Sequence, residues 1–487
     1  MSLSALGLSA RGGRGAEVTG LAVDSRDVAP GMLFAALPGS AVHGARFIPM
    51  ALERGATVVL TDPEGAALAA GALDGVACVV VEEPRAALAR AAALWFGAQP
   101  GTMVAVTGTN GKTSVATFTR QIWTALGHAA INVGTTGVEG AWTAPLHHTT
   151  PDPITLHRAL AEAAAAGVTH AAMEASSHGL DQRRLDGVRL KAAAFTNFTQ
   201  DHLDYHKTFE AYFAAKARLF TEVLPDDGIA VVNTDDPKGP EIAAIARARG
   251  QGVMTVGQGA ACDLRIAGQR FDAAGQDLRL EWHGKPYQVR LALIGGFQAA
   301  NVLAAAGLVI AAGSPPGDVF AVLPQLGTVR GRMQHAATRA NGATVFVDYA
   351  HTPDAVETAL KALRPHVMGR LVIVFGAGGD RDRGKRPLMG AAAAAHADLC
   401  IVTDDNPRSE DPASIRTAIL AACPGAQEVG DRAEAILRGV AALGPGDALL
   451  IAGKGHESGQ TVAGTVYPFD DVEQASLAVA ALDGGRG

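Results

Sequence analysis

The run Thr107-Gly108-Thr109-Asn110-Gly111-Lys112-Thr113-Ser114 holds the residue types that grip a phosphate chain. Glycines let a backbone wrap closely around phosphate, and N–H groups at a helix N-terminus supply positive potential. Lys112 can reach the terminal phosphates, and the Thr113 hydroxyl can ligate Mg²⁺. The apolar strand Met103 to Val106 precedes the run and a helical pattern follows it. Position 106 is Val where the usual phosphate loop has Gly, so this is a shorter Gly-Thr-Asn-Gly-Lys-Thr form.

Three further groups could do chemistry. Glu174 ends the apolar stretch 168–175, where an acidic side chain beside a phosphate loop is placed to hold Mg²⁺, a hard cation that prefers oxygen. The segment 198–206, Phe-Thr-Gln-Asp-His-Leu-Asp-Tyr-His, packs two His and two Asp into a few residues, which suits metal or phosphate contact or a solvated loop. Lys216 lies one helical turn from Tyr212, Phe213, Leu219 and Phe220. A Lys on an apolar face must be paired or modified, unless it snorkels to water.

The elements that position these groups follow from apolar runs. A break at Gly97-Ala98-Gln99-Pro100-Gly101 closes an N-terminal region, 1–100. A central region, 101–329, alternates strands (103–106, 168–175, 190–197, 228–233) with helical stretches, the pattern of a mostly parallel sheet. Within it, 261–293 alternates polar and apolar residues, predicting an antiparallel patch with a turn near His283-Gly284. The C-terminal region, 330–487, repeats strand and helix at 344–350, 371–379, 397–405 and 447–455, each strand ending in a Gly- or Asp-rich loop. Loops at the carboxyl ends of strands form the binding crevice of open α/β sheets.

Composition bounds the reading. The 487 residues suffice for about three domains, and 48% hydrophobic with 18% charged residues is globular. A net charge of −7 argues against a nucleic-acid partner. Cys78, Cys262, Cys400 and Cys423 are too scattered for a disulfide framework and fit a reducing cytoplasm. The first residues lack a basic segment ahead of an apolar run, so no secretory signal is expected. The uncharged stretch 291–317 is broken by Gly, Gln, Asn and Pro; it predicts a buried helix over 302–313 and no membrane span.

Taken together, the phosphate loop, Met173-Glu174-Ala175-Ser176-Ser177-His178-Gly179-Leu180, the 198–206 segment, the helix around Lys216, Gly331-Arg332-Met333-Gln334, the segment 348–354 (DYAHTPD), Gly376 to Arg386, Asp405-Asn406-Pro407-Arg408 and Gly453-Lys454-Gly455-His456-Glu457 resemble the Mur ligase family. The match runs over nearly the whole chain. The resemblance implies an N-terminal α/β UDP-binding domain, a central P-loop ATPase-like domain and a C-terminal Rossmann-like domain. It implies an ATP- and Mg²⁺-dependent ligase adding meso-diaminopimelate to the γ-carboxyl of D-Glu in UDP-MurNAc-L-Ala-D-Glu, through an acyl phosphate, during peptidoglycan precursor synthesis. The enzyme is expected in the cytoplasm, as a monomer.

By the same resemblance, Gly108, Thr109, Asn110, Gly111, Lys112, Thr113 and Ser114 bind ATP, with Asn301, Arg332, Asp348 and Tyr349. Thr113, Glu174, His202 and a carbamylated Lys216 hold Mg²⁺, and Lys112, Lys216 and His202 are the catalytic positions. Val23, Ser25, His43, Gly44, Ala45, Thr149, Thr150, Ser176, Gln182 and Arg184 bind the nucleotide-sugar dipeptide. Arg381, Asp405, Asn406, Pro407, Arg408, Gly453 and Glu457 bind diaminopimelate. His148 departs from the Asn of well-known relatives, so no contact is assigned there. Arg408 favours a diacid because a guanidinium fork suits a carboxylate. Rival readings are a lysine-adding or folylpolyglutamate-synthase-like ligase, and, outside enzymes, a nucleotide-gated binding protein.

Overall fold

The computed structural model describes residues 1–12, 17–39, 42–146, 148–199 and 203–484. It is mixed α/β with mostly parallel sheets. The chain divides into two compact units, 1–264 with 303–319, and 265–302 with 320–487.

The first unit holds two sheets. Leu21–Ala22, Leu33–Ala35, Val58–Thr61 and Ala77–Val80 form a four-stranded parallel sheet, too short-stranded at its start to announce itself in the sequence. Within this unit seven strands of the larger, ten-stranded sheet run in the order Gly137–Gly140, Ala130–Gly134, His170–Glu174, Thr102–Thr107, Ala192–Phe195, Ile229–Asn233, Gly252–Gly257, and of these only the first pair is antiparallel. The expected central strands are all present. Their continuous apolar runs are buried on both faces, as a helix-covered parallel sheet requires. Thr102–Thr107 sits between His170–Glu174 and Ala192–Phe195, so the loops after three adjacent strands emerge together.

In the second unit, Gly275–Trp282 pairs antiparallel with Lys285–Leu291, and the turn falls at His283-Gly284 as expected. The helix Phe297–Ala311, whose residues from 303 on belong to the first unit, takes up the uncharged stretch, and Val302, Leu303, Leu308 and Val309 in it are fully buried. Among the described residues no helix is long and apolar enough to cross a membrane. The C-terminal sheet is ordered Gln334–Thr338, Thr344–Asp348, Ala448–Ala452, Leu371–Phe375, Leu399–Val402, Gln427–Glu428. Only the first pair is antiparallel. Alternate residues of Leu371–Phe375 feed two cores, Leu371, Ile373 and Phe375 one side, Val372 and Val374 the other.

Candidate functional site

In the first unit the phosphate loop leaves the strand Thr102–Thr107 and enters the helix Lys112–Ala125. Gly108 has φ +148°, and a Cβ there would collide with Thr196 Oγ1, so only glycine lets the loop pass the neighbouring strand end. The loop is stapled to that strand: Asn110 N–H donates to Asn197 Oδ1 at 2.8 Å and Thr109 N–H to the Asn197 carbonyl at 2.9 Å. Lys112 Nζ lies 2.9 Å from the carbonyl oxygens of both Gly108 and Thr109, which holds its charge over the loop. Thr113 and Ser114 are buried in the first helical turn.

Glu174 is only 2% exposed. Its Oε2 accepts from the Thr113 hydroxyl at 3.0 Å and the Thr135 hydroxyl at 3.3 Å; its Oε1 accepts the Thr135 N–H at 2.8 Å. A buried carboxylate that, among the described residues, accepts from neutral donors alone, one of them the phosphate-loop hydroxyl, is an oxygen set that fits a hard divalent cation. Among the described residues no three His, Cys, Asp or Glu side chains cluster as a metal cage. His202 lies outside the described residues.

Lys216 does not snorkel. It is 1% exposed, its Nζ lies 4.5 Å from the centroid of the Tyr212 ring, and it donates to Gly108 O at 2.7 Å. The Tyr212 hydroxyl lies 3.2 Å from Thr109 Oγ1, so this helix and the phosphate loop touch at two points.

Five of the expected dipeptide residues, Thr149, Thr150, Ser176, Gln182 and Arg184, form one chain of contacts. Thr149 Oγ1 lies 3.0 Å from Thr135 Oγ1; Thr150 Oγ1 donates to the Glu174 carbonyl at 2.9 Å and accepts from Ser176 N–H at 3.0 Å. Arg184 donates to Thr150 O at 2.6 Å and to Gln182 Oε1 at 2.8 Å. Half-buried, Arg184 keeps its charge less easily than usual because burial disfavours it. Val23 and Ser25 follow the strand Leu21–Ala22, and His43, Gly44 and Ala45 follow its neighbour Leu33–Ala35. His43 Nδ1 accepts the Ala45 N–H at 3.0 Å, and Nε2 lies 3.1 Å from Asp62 Oδ1. These five sit on a sheet separate from the Thr150–Arg184 group.

In the second unit, loops following the adjacent strands Ala448–Ala452, Leu371–Phe375 and Leu399–Val402 meet. Asn406 Nδ2 donates to Glu457 Oε2 at 2.8 Å, and Arg408 Nη1 to Gly379 O at 2.7 Å. Gly453 has φ +116°, and a Cβ there would strike the Asp405 carboxylate. Asp405 and Asn406 are buried. Arg408 is held at φ +52°, a conformation a non-glycine residue rarely takes. Its N–H donates to Thr461 O at 3.0 Å and its carbonyl accepts from Ala463 N–H at 2.6 Å, so the hairpin Gly459–Val462 and Thr465–Pro468 enforces the geometry. Pro407 precedes it, and Arg381 Nη1 lies 3.4 Å from the Asp380 carbonyl oxygen.

Asp348 is buried, accepting N–H groups from Met333 at 2.6 Å and Ala350 at 2.8 Å; burial raises its pKa against the pull of Arg332. Arg332 Cζ stands 4.7 Å from the centroid of the Tyr349 ring. Burial, and then the Glu457 carboxylate, raise the Tyr349 pKa. Asn301 is buried on the helix Phe297–Ala311, donating to Gln298 Oε1 at 3.0 Å, and has no bond to Arg332, Asp348 or Tyr349 among the described residues.

Sequence reasoning missed Thr135 and Lys454. Thr135 lies in Gly134-Thr135-Thr136-Gly137, a turn signal directly after an apolar strand. Lys454 stands inside a motif already singled out.

Three family models match the chain. Residues 17–95 match "Mur ligase family, catalytic domain", 106–309 "Mur ligase middle domain" and 331–455 "Mur ligase, glutamate ligase domain". The UDP-N-acetylmuramoyl-L-alanyl-D-glutamate–2,6-diaminopimelate ligase of Caulobacter vibrioides is 53% identical over 475 residues, 96% of each chain. That of Bradyrhizobium diazoefficiens is 54% identical over 470 residues, 95% of each chain. A solved structure of a ligase of that name is 35% identical, with TM-score 0.70 over 96% of this chain and 95% of that one. Matched by these family models over most of its length and about half identical to these relatives over nearly all of it, the chain belongs to the Mur ligase family.

Proposed function

We propose that the chain is an ATP-dependent ligase that joins meso-diaminopimelate to the γ-carboxyl of D-Glu in UDP-MurNAc-L-Ala-D-Glu, in peptidoglycan precursor synthesis. The observation that carries the reading is the meeting of the loops after three adjacent strands, where Asn406 holds the Glu457 carboxylate and Arg408 donates to the Gly379 carbonyl, so that a guanidinium and a carboxylate stand at the same end of one sheet. An amino acid with a second carboxylate complements that set. The relatives, about half identical over almost the full chain, carry the name of this activity.

The chemistry needs an activated acid, since a carboxylate repels an amine and its oxygen leaves poorly. Transfer of the γ-phosphoryl group gives an acyl phosphate; the amine adds to its carbonyl carbon, and phosphate departs as the amide forms. Lys112 and the loop amides would receive the charge on the phosphates. Thr113 and Glu174 would hold one Mg²⁺, with His202 and a carbamylated Lys216 assigned to a second. When bound, Mg²⁺ supplies charge neutralisation between two anions that must approach each other. Carbamylation suits Lys216, because its ammonium otherwise shares one carbonyl oxygen with Lys112.

The rest of the assignment is read the same way. Residues 1–100 take the UDP-sugar, 101–329 ATP and 330–487 the amino acid. Val23, Ser25, His43, Gly44 and Ala45, with Thr149, Thr150, Ser176, Gln182 and Arg184, contact the dipeptide substrate. Asn301, Arg332, Asp348 and Tyr349 contact the nucleotide. Arg381, Pro407 and Gly453 complete the amino-acid site.

The test is phosphate release from ATP with the product identified by mass. Release must require both the nucleotide-sugar dipeptide and diaminopimelate, and oxygen-18 from the acceptor carboxyl must appear in phosphate. Release that ignores the amino acid would sink the reading.

A further inference from the structure

Beneath the amino-acid loops lies a lysine to which the reading above gives no task. Lys454 is 0% exposed, between the strand Ala448–Ala452 and the turn that carries Glu457. An ammonium this deep is costly unless its three donors are met. They are met by Glu457 Oε2 at 3.0 Å, Asn406 Oδ1 at 3.3 Å and the Gly459 carbonyl. Two of these acceptors are side chains from the two loops assigned to the amino acid. Backbone carbonyls alone would serve a purely structural cation.

The pattern on Glu457 is one-sided. Asn406 Nδ2 donates to the same oxygen, Oε2, at 2.8 Å, and Asn406 Oδ1 also accepts the Thr461 N–H at 2.8 Å. Oε2 therefore takes two donors, while Oε1 takes no hydrogen bond among the described residues. The Glu457 side chain is 32% exposed, so one edge of the carboxylate is anchored and the other faces outward.

We propose that Lys454 is a positioning residue for the incoming amino acid: it anchors Oε2 of Glu457 and sets the Asn406 amide, leaving Oε1 oriented to accept a substrate ammonium group. The inference rests on the amino-acid assignment made above. Lys454 touches no reacting atom. Its effect is to make the Glu457 acceptor preorganised, so that binding need not order a free carboxylate.

The experiment compares wild type, Lys454→Met, Glu457→Gln and the double variant in steady-state kinetics on the full chain. Methionine keeps the length of the side chain and removes the charge, and replacing a buried ion with an apolar group is often tolerated. Should it prevent folding, Lys454→Gln gives the same readout. Losing a bond to a charged group predicts that KM for diaminopimelate rises about tenfold in Lys454→Met. KM for ATP and for the dipeptide substrate stays within about twofold. In the Glu457→Gln background the Lys454 substitution adds less than about twofold, because its action runs through that carboxylate. An unchanged KM for diaminopimelate, a parallel rise in all three, or fully multiplicative effects would each overturn the inference. If wild type forms no diaminopimelate product, the assignment fails and the inference fails with it; a working wild type with an indifferent Lys454→Met fails the inference alone.

Discussion

Lys112 and Lys216 reach the same atom: their Nζ groups lie 2.9 and 2.7 Å from the carbonyl oxygen of Gly108. Two ammonium groups on one oxygen repel, and with Lys216 only 1% exposed little water screens them. A carbamate on Lys216 reverses one charge and adds oxygen donors beside the phosphate loop. Lys216→Ala is therefore expected to retain less than about 1% of phosphate release, the scale of losing a main electrostatic contributor. Formate or acetate should restore part of it. Undiminished activity of Lys216→Ala would rule the modified lysine out.

Arg408 presents a guanidinium from a backbone fixed by the hairpin Gly459–Val462, with one nitrogen on Gly379 O at 2.7 Å. The remaining edge suits a carboxylate. Arg408→Ala should raise KM for diaminopimelate about 10- to 100-fold, the worth of a charge-assisted bond. KM for ATP should move less than about twofold. Arg408→Lys should recover little, since a point charge cannot replace a fork. Equal effects on both substrates would remove Arg408 from the specificity argument.

Much of this was legible in the sequence because the signals are local. The phosphate loop declares itself through spacing and the parallel strands through unbroken apolar runs, whereas the apolar neighbours of Lys216 one turn away left burial and snorkelling both open. The short strands Leu21–Ala22 and Leu33–Ala35 were not legible, having no room for a pattern. Thr135 on Glu174 was missed because the contact joins two strand ends distant in sequence. The constraint on Arg408 was missed for the same reason: its backbone partners, Thr461 and Ala463, lie in a half-exposed hairpin whose residues carry no strong alternation.

His456 shares the turn with Lys454 and packs on Tyr349, ring centroids 5.0 Å apart. Its Nδ1 is buried with no hydrogen-bond partner among the described residues, and burial, helped by Arg332 and Arg330, lowers its pKa from 6.5 to about 4. The unfolded chain therefore binds this proton as pH falls below 6.5, while the folded chain refuses it until about 4. The neutral imidazole's contribution is full above the unfolded value and is lost progressively between 6.5 and 4. His456→Gln should flatten that part of the stability–pH curve, measured by urea midpoints at several pH values. An identical slope in the variant would show that His456 is protonated in the folded state.

Arg432 and Asp471 form an ion pair with both side chains at 0% exposure, Nε and Nη2 each 2.8 Å from a carboxylate oxygen. Nη2 also donates to Ala452 O at 3.0 Å and Nη1 reaches Asp404 O at 3.4 Å, so one guanidinium joins the ends of the strands that precede Gly453 and Asp405. Breaking one side strands a buried charge. Arg432→Met should cost about 3–5 kcal/mol, read as a lowered urea midpoint. The double change Arg432→Met, Asp471→Leu removes both charges and should recover most of that loss. It should not recover diaminopimelate affinity, because the carbonyls of Ala452 and Asp404 have lost their common donor. Restored stability with unaltered KM would mean the pair only holds the fold, and that the two loops find their places without it.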